Sequence, residues 1–218
     1  MPNATVTEVR ERPILFSGPM VRAILEGRKT QTRRVVVDRA KHEDGWVTTC
    51  PGEGFTPELV RRDFTCPYGE PGDRLWVRES GWQPKEPSEQ DLREGADTWP
   101  KYVYDADEPL GACYSEWGWK HRPSIHMPRW ASRLTREITD VRVERLQEIS
   151  EADARAEGFP LNHNDEAYTV PPIGGTREWN NYGIASLSLA WDKLNAKRGY
   201  GWHANPWVWA LTFVAVPQ

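Results

Sequence analysis

The sequence is poor in cysteine and has no long apolar run, and both deficits limit what the protein can be. Its three cysteines are Cys50, Cys66 and Cys113. So small and odd a number argues against a disulfide framework and fits a reducing compartment. No run of about 18 apolar residues is present, which argues against a membrane-spanning helix. The start, MPNATVTEVRERP, lacks the apolar stretch of a secretory signal. These features predict a cytoplasmic protein that does not enter a membrane.

The sequence also lacks an excess of positive charge and the glycine-rich motifs that bind nucleotide phosphates. Its formal net charge is -4, which argues against a protein that coats nucleic acid through overall positive charge, because such binding comes from Lys and Arg neutralising phosphates. Neither GxGxxG nor a phosphate loop occurs, which counts against nucleotide-dependent folds. Any contact with nucleic acid must therefore be local.

Paired metal ligands are scarce as well. Structural zinc sites use closely spaced ligands, such as two cysteines two to four residues apart. The cysteines here are isolated, and His121 with His126 is the only histidine pair near a suitable spacing. We therefore predict no metal and no other cofactor.

Tryptophan, in contrast, is abundant. The chain has 12 tryptophans, clustered in WGWK (117–120) and GYGWHANPWVWA (199–210). Most are expected to pack in the core, because aromatic side chains dominate burial energetics. A minority can stack on bases or on another heterocycle.

Hydrophobic patterning predicts a strand, a helix and a second strand near the start. The apolar run PILF (13–16) predicts a short buried strand, and Ser17 and Gly27 mark the start and end of a helix. The apolar face of that helix is predicted to contain Met20, Ile24 and Leu25. The segment TQTRRVVV (30–37) is rich in β-branched residues and predicts a strand.

Later segments predict further strands and two helices. In PGDRLWVRES (71–80) a strand places Leu75 and Val77 on one face, with Trp76 and Arg78 on the other. Alternation over 129–148 predicts a half-buried strand. The remaining predictions are a helix from Ser150 to Gly158, a helix at 184–197 and a central strand at 206–216.

This order of elements predicts an α+β fold. It fits a small, mainly antiparallel β-barrel with flanking helices, and it fits a doubly wound parallel sheet poorly. Three stretches with little periodicity, at about 38–65, 81–125 and 160–200, are predicted to be long inserted loops. The first contains at most a short strand at WVTT (46–49), and the second contains one at YVY (102–104). We expect a single domain over residues 1–218.

Four segments together resemble the ASCH family. They are RPILFSGPMVRAILEGRKTQTRRVV, PGDRLWVRE, LQEISEADARAEG and NPWVWALTFV. The first is highly specific and the others support it, and the resemblance covers about half of the chain. It implies a PUA-like β-barrel fold, and the PMVRAILEGRKTQTRR opening is similar to versions found in phage and bacterial genomes.

The resemblance also implies a nucleic-acid-related cleft. One branch of the family hydrolyses N4-acetylcytidine with a Lys, a Thr three residues later and a distant Glu. Matched onto this sequence, those positions fall on Lys29, Thr32 and Glu157, with Glu151 as a neighbour that is easily confused with Glu157.

The chemistry of these residues sets conditions. A threonine hydroxyl is a weak nucleophile until a neighbour takes its proton. Lys29 can do so only if burial or nearby positive charge lowers its pKa. Glu157 can orient Lys29 or shuttle a proton, but it also raises the lysine pKa, so the sequence leaves the balance open.

Geometry sets another condition. Residues three apart in a regular strand point to opposite faces. Lys29 and Thr32 therefore meet only if the chain turns or bulges at Thr30 or Gln31.

Six residues are predicted to bind substrate or nucleic acid: Arg28, Arg33, Arg34, Trp76, Arg78 and Arg129. For the first three the alternative is a solvated basic edge, and for Trp76 it is a place in the core. We hypothesise a hydrolase acting on an acylated pyrimidine nucleoside or a related amide. A non-catalytic module that binds RNA, DNA or a modified base is an alternative, as is a ribonuclease. The negative net charge favours a modified nucleoside over RNA as partner.

Overall fold

The computed structural model describes residues 8–42, 45–84, 86, 100–107, 112–159 and 182–216. Parts of the insertions predicted at 81–125 and 160–200, and the first seven residues, lie outside the described ranges. The chain divides into two compact units. Unit 1 consists of Met1–Glu26, Asp73–Glu137 and Ala215–Gln218, and unit 2 consists of Gly27–Gly72 and Ile138–Val214. The single-domain organisation stays a prediction.

The described residues contain both strands and helices. In chain order the strands are β1 (Glu11–Leu15), β2 (Gln31–Val35), β3 (Asp38–His42), β4 (Gly45–Thr49), β5 (Arg74–Arg78), β6 (Gly81–Gln83), β7 (Val103–Tyr104), β8 (Lys120–Arg122), β9 (Thr135–Arg145) and β10 (Trp207–Ala215). The helices are α1 (Gly18–Leu25), α2 (Pro57–Asp63), α3 (Ala112–Glu116), α4 (Glu151–Ala156) and α5 (Tyr182–Asn195).

The largest sheet has five strands in the order β1-β5-β9-β10-β2. It is mixed, because β1 pairs with β5 in parallel, whereas β5 with β9 and β10 with β2 are antiparallel. The α+β class is therefore confirmed. No closed barrel is detected among the described strands, and β1 and β2 are the two edges of this sheet.

Two of the predicted loops contain regular structure that the sequence analysis missed. The segment after β2 forms the β3–β4 hairpin and α2, and the segment after β5 forms a three-stranded antiparallel sheet in the order β7-β6-β8. Strands of three residues, such as β6 and β8, are too short to produce a recognisable alternation. The short strands predicted at WVTT (46–49) and YVY (102–104) are confirmed as β4 and β7.

Unit 1 is built on the buried faces of β1, β5 and α1. Leu75 and Val77 are fully buried, whereas Trp76 and Arg78 on the opposite face of β5 are half-buried, as predicted. The predicted face of α1 was partly wrong. Its buried residues are Val21, Ala23 and Ile24, whereas Leu25 at its end is 48% exposed.

Unit 2 has its core where β10 meets β2 and β9. Trp207 and Trp209 of β10 pack in a buried cluster with Val36, Val60 and Val143. These tryptophans are therefore core residues, as most of the 12 were expected to be. None of the helices in the described part of the chain has the length and apolar character needed to cross a bilayer.

Helix α4 positions the residues of greatest interest in unit 2. The Ser150 side chain accepts a hydrogen bond from the Asp153 N–H at 3.1 Å, which caps the start of the helix. Gly158 follows the helix with φ +92°, a left-handed conformation that glycine adopts without steric cost. Both predicted ends of the helix are confirmed, and Glu157 lies at its C-terminal cap.

Candidate functional site

The segment that leads into β2 crosses the end of α4. Lys29 and Glu157 form an isolated antiparallel bridge. The Thr30 N–H donates to the Ala156 carbonyl at 2.7 Å, and the Thr30 carbonyl accepts from Phe213 N–H of β10 at 2.9 Å. In a regular antiparallel ladder a hydrogen-bonded residue exchanges both of its bonds with one opposite residue. Thr30 instead bonds to two different elements, the end of α4 and β10, so this segment changes its pairing partner at Thr30.

The Lys29 ammonium is buried and bound by three acceptors. Nζ donates to the Gln31 carbonyl at 2.7 Å, to the Glu157 carbonyl at 2.8 Å and to Glu157 Oε2 at 2.7 Å. The side chain of Lys29 is only 2% exposed. Because an ammonium has three donors, this geometry accommodates the charged form of Lys29 completely.

Burial works against that charged form. It is the largest influence on Lys29, and it lowers the pKa of Lys29 below its ordinary value, with the positive charges of Arg34 and Arg33 acting in the same direction. Glu157 opposes this shift through its charge and its hydrogen bond. The balance that the sequence left open thus falls on the side of a lowered pKa.

Thr32 and Arg34 are linked on β2. The Thr32 hydroxyl accepts a hydrogen bond from Arg34 Nη1 at 3.0 Å, and the same nitrogen donates to the Arg33 carbonyl at 3.1 Å. Thr32 itself is 1% exposed and pairs with Leu211 of β10.

Lys29 and Arg34, whose guanidinium also binds the Thr32 hydroxyl, bind the same edge of β2. Because the Thr30 carbonyl faces β10, the alternation of an extended chain points the Gln31 and Arg33 carbonyls away from β10, towards the free edge. Lys29 Nζ binds the first of these carbonyls and Arg34 Nη1 binds the second. Carbonyls two residues apart along a strand are separated by about 7 Å, and Thr32 lies between them. We call Lys29, Thr32, Arg34 and Glu157 the β2-edge site.

Arg33 is buried among carboxylates. Its Nε lies 2.7 Å from Glu144 Oε1, its Nη2 lies 3.2 Å from Asp153 Oδ2, and its Nη1 lies 3.3 Å from Glu157 Oε1. Its side chain is 1% exposed. The guanidinium therefore binds inside unit 2 rather than facing solvent.

Arg28 lies at the rim of this arrangement. Its Nη1 donates to the Gly158 carbonyl at 3.0 Å, and the residue is exposed. Of the three predicted binding arginines around Lys29, it has the most exposed position, and it ties the segment before β2 to the residue that ends α4.

The other three predicted binding residues come together in unit 1. The guanidinium carbons of Arg78 and Arg129 lie 5.3 and 5.5 Å from the ring centroid of Trp76, which is cation–π distance. Arg78 also donates to the Ile125 carbonyl, and Arg129 pairs with Glu11 at 2.7 Å. The β2-edge site belongs to unit 2, so the nine predicted residues fall into two separate groups.

Sequence reasoning missed a buried ion pair in unit 1. Glu79 is 1% exposed, and both of its carboxylate oxygens accept hydrogen bonds from Arg133 at 3.0 Å. Burial raises the pKa of Glu79, with Arg133 opposing the shift. A signal was present, because the alternation of β5 places Glu79 on the same face as Leu75 and Val77.

Glu144 and Asp153 were also missed as parts of the site. Their role depends on Arg33, which is 111 residues away from Glu144 along the chain. No local pattern in the sequence encodes a contact at that separation.

No group of three or more His, Cys, Asp and Glu side chains that could hold a metal ion occurs in the described ranges. Comparison of the chain with family models, curated proteins and solved structures finds no match. The resemblance to the ASCH family therefore stays a prediction that rests on the quoted segments.

Proposed function

We propose that the protein is an ASCH-type amidohydrolase with Thr32 as its nucleophile. The substrate class is an acylated pyrimidine nucleoside such as N4-acetylcytidine, or a related amide. One observation carries the proposal: the buried Lys29 ammonium lies 2.7 Å from Glu157 Oε2, at the edge of β2 where Arg34 binds the Thr32 hydroxyl.

Lys29 becomes a base when its proton moves to Glu157. Separated charges are costly in a buried site, so a neutral amine beside a neutral carboxylic acid becomes more accessible there than in water. The lowered pKa of Lys29 favours this transfer, and the hydrogen bond to Glu157 Oε2 gives it a direct path. The neutral amine then accepts the proton of the Thr32 hydroxyl.

Arg34 supplies the charge that the nucleophile needs. As Thr32 loses its proton, negative charge develops on Oγ1, and Arg34 Nη1 already donates to this atom at 3.0 Å. A positioned cation stabilises a developing alkoxide most strongly where water is excluded.

The proton transfers of the reaction balance among these residues and the leaving nitrogen. Thr32 Oγ1 attacks the acyl carbon, Lys29 takes the hydroxyl proton, and the C–N bond breaks as Glu157 gives its proton to the leaving nitrogen. Lys29 is then an ammonium and Glu157 a carboxylate, as in the resting structure. Water hydrolyses the acyl-threonine ester through the same exchange and releases the acid.

Burial favours a small substrate. Lys29, Thr32 and Glu157 are at most 5% exposed, so an acyl group on a nucleoside is better suited to approach them than a folded polymer is. The negative net charge of the chain acts in the same direction.

A second candidate is binding without chemistry, and the surface of unit 1 favours it. Trp130 and Ile125 are 58% and 57% exposed. Trp130 follows Arg129 in the sequence, and the Ile125 carbonyl accepts a hydrogen bond from Arg78. These are the two arginines that contact Trp76. Exposed aromatic rings beside guanidinium groups are typical of surfaces that stack bases and contact phosphates.

One experiment separates the two candidates. Purified wild-type protein is incubated with N4-acetylcytidine, other N4-acylated cytidines and structured RNA, beside Lys29→Met, Thr32→Val and Glu157→Gln. Thr30→Val is the matched control, because it makes the same change at an exposed residue two positions away. We expect turnover by the wild type and the control, and a loss of at least about a hundredfold in the other three.

Two results would overturn the hydrolase. One is full activity of Thr32→Val, which would show that the Thr32 hydroxyl is not the nucleophile. The other is no turnover of any acylated nucleoside, together with RNA binding that is lost in Arg129→Ala and Trp130→Ala, which would establish the binding module instead.

A further inference from the structure

Glu157 is shared by two cations of different chemistry. Its Oε2 lies 2.7 Å from Lys29 Nζ, and its Oε1 lies 3.3 Å from Arg33 Nη1. An arginine does not give up its proton in a protein, whereas a lysine does. Of the two contacts, only the one with Lys29 can therefore exchange a proton with the carboxylate.

Arg33 is itself held from the side opposite Glu157. Glu144 of β9 lies 2.7 Å from both its Nε and its Nη2, and Asp153 of α4 lies 3.2 Å from Nη2. A guanidinium that binds three carboxylates from two elements has a fixed orientation, because its nitrogens are coplanar and rigidly spaced.

We propose that Arg33 is a positioning residue of the β2-edge site, which uses its contacts with Glu144 and Asp153 to hold Glu157 Oε1, so that Oε2 is presented to Lys29 as the single route of proton exchange. The inference rests on the proposed function, and it assigns Arg33 a role inside unit 2 in place of the predicted contact with a ligand.

The charge of Arg33 has a second effect. A fixed positive charge near Lys29 disfavours the ammonium, and Glu144 and Asp153 partly neutralise that charge. The charged groups that act on Lys29 are Glu157, Arg34 and Arg33. Arg33 is paired in turn with Glu144 of β9 and Asp153 of α4, and Arg142 of β9 lies beside both of these carboxylates. Strand β10, which pairs with β2, has no ionisable side chain.

Two substitutions therefore have opposite effects on Lys29. Arg33→Gln removes the positive charge, so the pKa of Lys29 rises, and the basic limb of the pH profile of kcat/KM, where the Lys29–Glu157 pair loses its one shared proton, moves to higher pH. Glu144→Gln removes a negative charge that neutralises Arg33, so the same limb moves to lower pH. A purely structural role for the ion pairs predicts weaker folding in both variants, with no opposite displacement of the limb.

The experiment measures the pH profile of N4-acetylcytidine hydrolysis and, independently, the titration of Lys29 by NMR in protein labelled at lysine side chains, with Lys29→Met used to assign the signal. We expect Arg33→Gln to lower kcat/KM near neutral pH by at least about tenfold, mainly through kcat. Arg33→Lys, which keeps the charge, should restore the position of the limb. Arg62→Gln is the control, because Arg62 is 70% exposed and pairs with Asp63.

The outcomes separate the inference from the proposed function. Lys29 titrations that shift in opposite directions, without turnover of any acylated nucleoside, overturn the hydrolase and leave Arg33 as the residue that controls Lys29. If acylated nucleosides are hydrolysed but neither the limb of the kcat/KM profile nor the Lys29 titration moves in Arg33→Gln and Glu144→Gln, the positioning role of Arg33 is overturned. Should Arg33→Gln fail to fold, the Lys29 titration in Glu144→Gln decides the inference alone: a shift to lower pH supports it, and an unchanged titration overturns it.

Discussion

Lys29 and Glu157 are joined twice, through their main chains and through their side chains. Their backbones form an antiparallel bridge, while Lys29 Nζ donates to both the carbonyl and the carboxylate of Glu157. The residues are 128 positions apart in the chain. The bridge fixes the register between the entry to β2 and the end of α4, and the side-chain contact makes that junction the chemical centre of unit 2.

Replacing Lys29 should weaken folding as well as activity. Lys29→Met leaves Glu157 Oε2 buried without its cation, while Arg33 still binds Oε1. Removing one partner of a buried ion pair usually lowers the free energy of unfolding by about 3 to 5 kcal/mol. We expect the lower end of this range because Arg33 still pairs with the Glu157 carboxylate. Urea unfolding measures the loss. Lys193→Met is the matched control at an exposed lysine of α5, and an equal effect in the two variants would contradict the prediction.

Gly158→Ala should disturb the site without touching any of its side chains. Gly158 has φ +92°, and a Cβ in the left-handed region costs about 1 to 2 kcal/mol. The strain falls on the residue directly after Glu157, so activity should decrease together with the free energy of unfolding. Gly52→Ala is the control, because a Cβ there would meet no atom within 4 Å and the backbone is not left-handed. Equal stability of the two variants would contradict the explanation.

Gly81→Ala tests the packing of the three-stranded sheet in unit 1. A Cβ at Gly81 would overlap the ring of Tyr102 and the carbonyl oxygen of Val103. Overpacking of this kind costs about 1 to 3 kcal/mol, measurable by urea unfolding followed by tryptophan fluorescence. Gly18→Ala is the control in the same unit, because its Cβ would meet other atoms only at 3.8 Å or more. A neutral Gly81→Ala would show that the β6–β7 pairing tolerates a wider spacing.

Glu79 should make unit 1 lose stability as pH rises above the ordinary carboxyl range. Burial raises the pKa of Glu79 above its ordinary value of 4.5. Between the ordinary pKa of the unfolded state and the raised pKa of the folded state, the folded state binds more protons than the unfolded state. The free energy of unfolding therefore falls with increasing pH in that range. Glu79→Gln lacks this titration. We therefore expect the stability of the wild type relative to Glu79→Gln to decrease through that window, measured by urea unfolding at a series of pH values. If the stability of the wild type relative to Glu79→Gln instead increased with pH, the raised pKa of Glu79 would be contradicted.

Much of the regular structure follows from local signals. The cap residue Ser150 and the terminal Gly158 predicted both ends of α4, and the alternation of Leu75 and Val77 predicted the faces of β5. Leu25 was assigned to the wrong face because burial of a short helix depends on what packs against it. The short strands β6 and β8 were missed because they have too few residues to show a period.

The sequence by itself determined the α+β class, the chief strands and helices, and the grouping of Lys29, Thr32 and several arginines at the entry to β2. These features depend on side-chain type and spacing over a few residues. Only the tertiary structure decided that Arg33 lies among three carboxylates and that burial lowers the pKa of Lys29 against the opposing effect of Glu157. It also decided that Lys29 and Arg34, which binds the Thr32 hydroxyl, bind the same edge of β2. The physical reason is that burial and charge pairing depend on residues more than 100 positions away, which are brought together only when the sheet and α4 assemble.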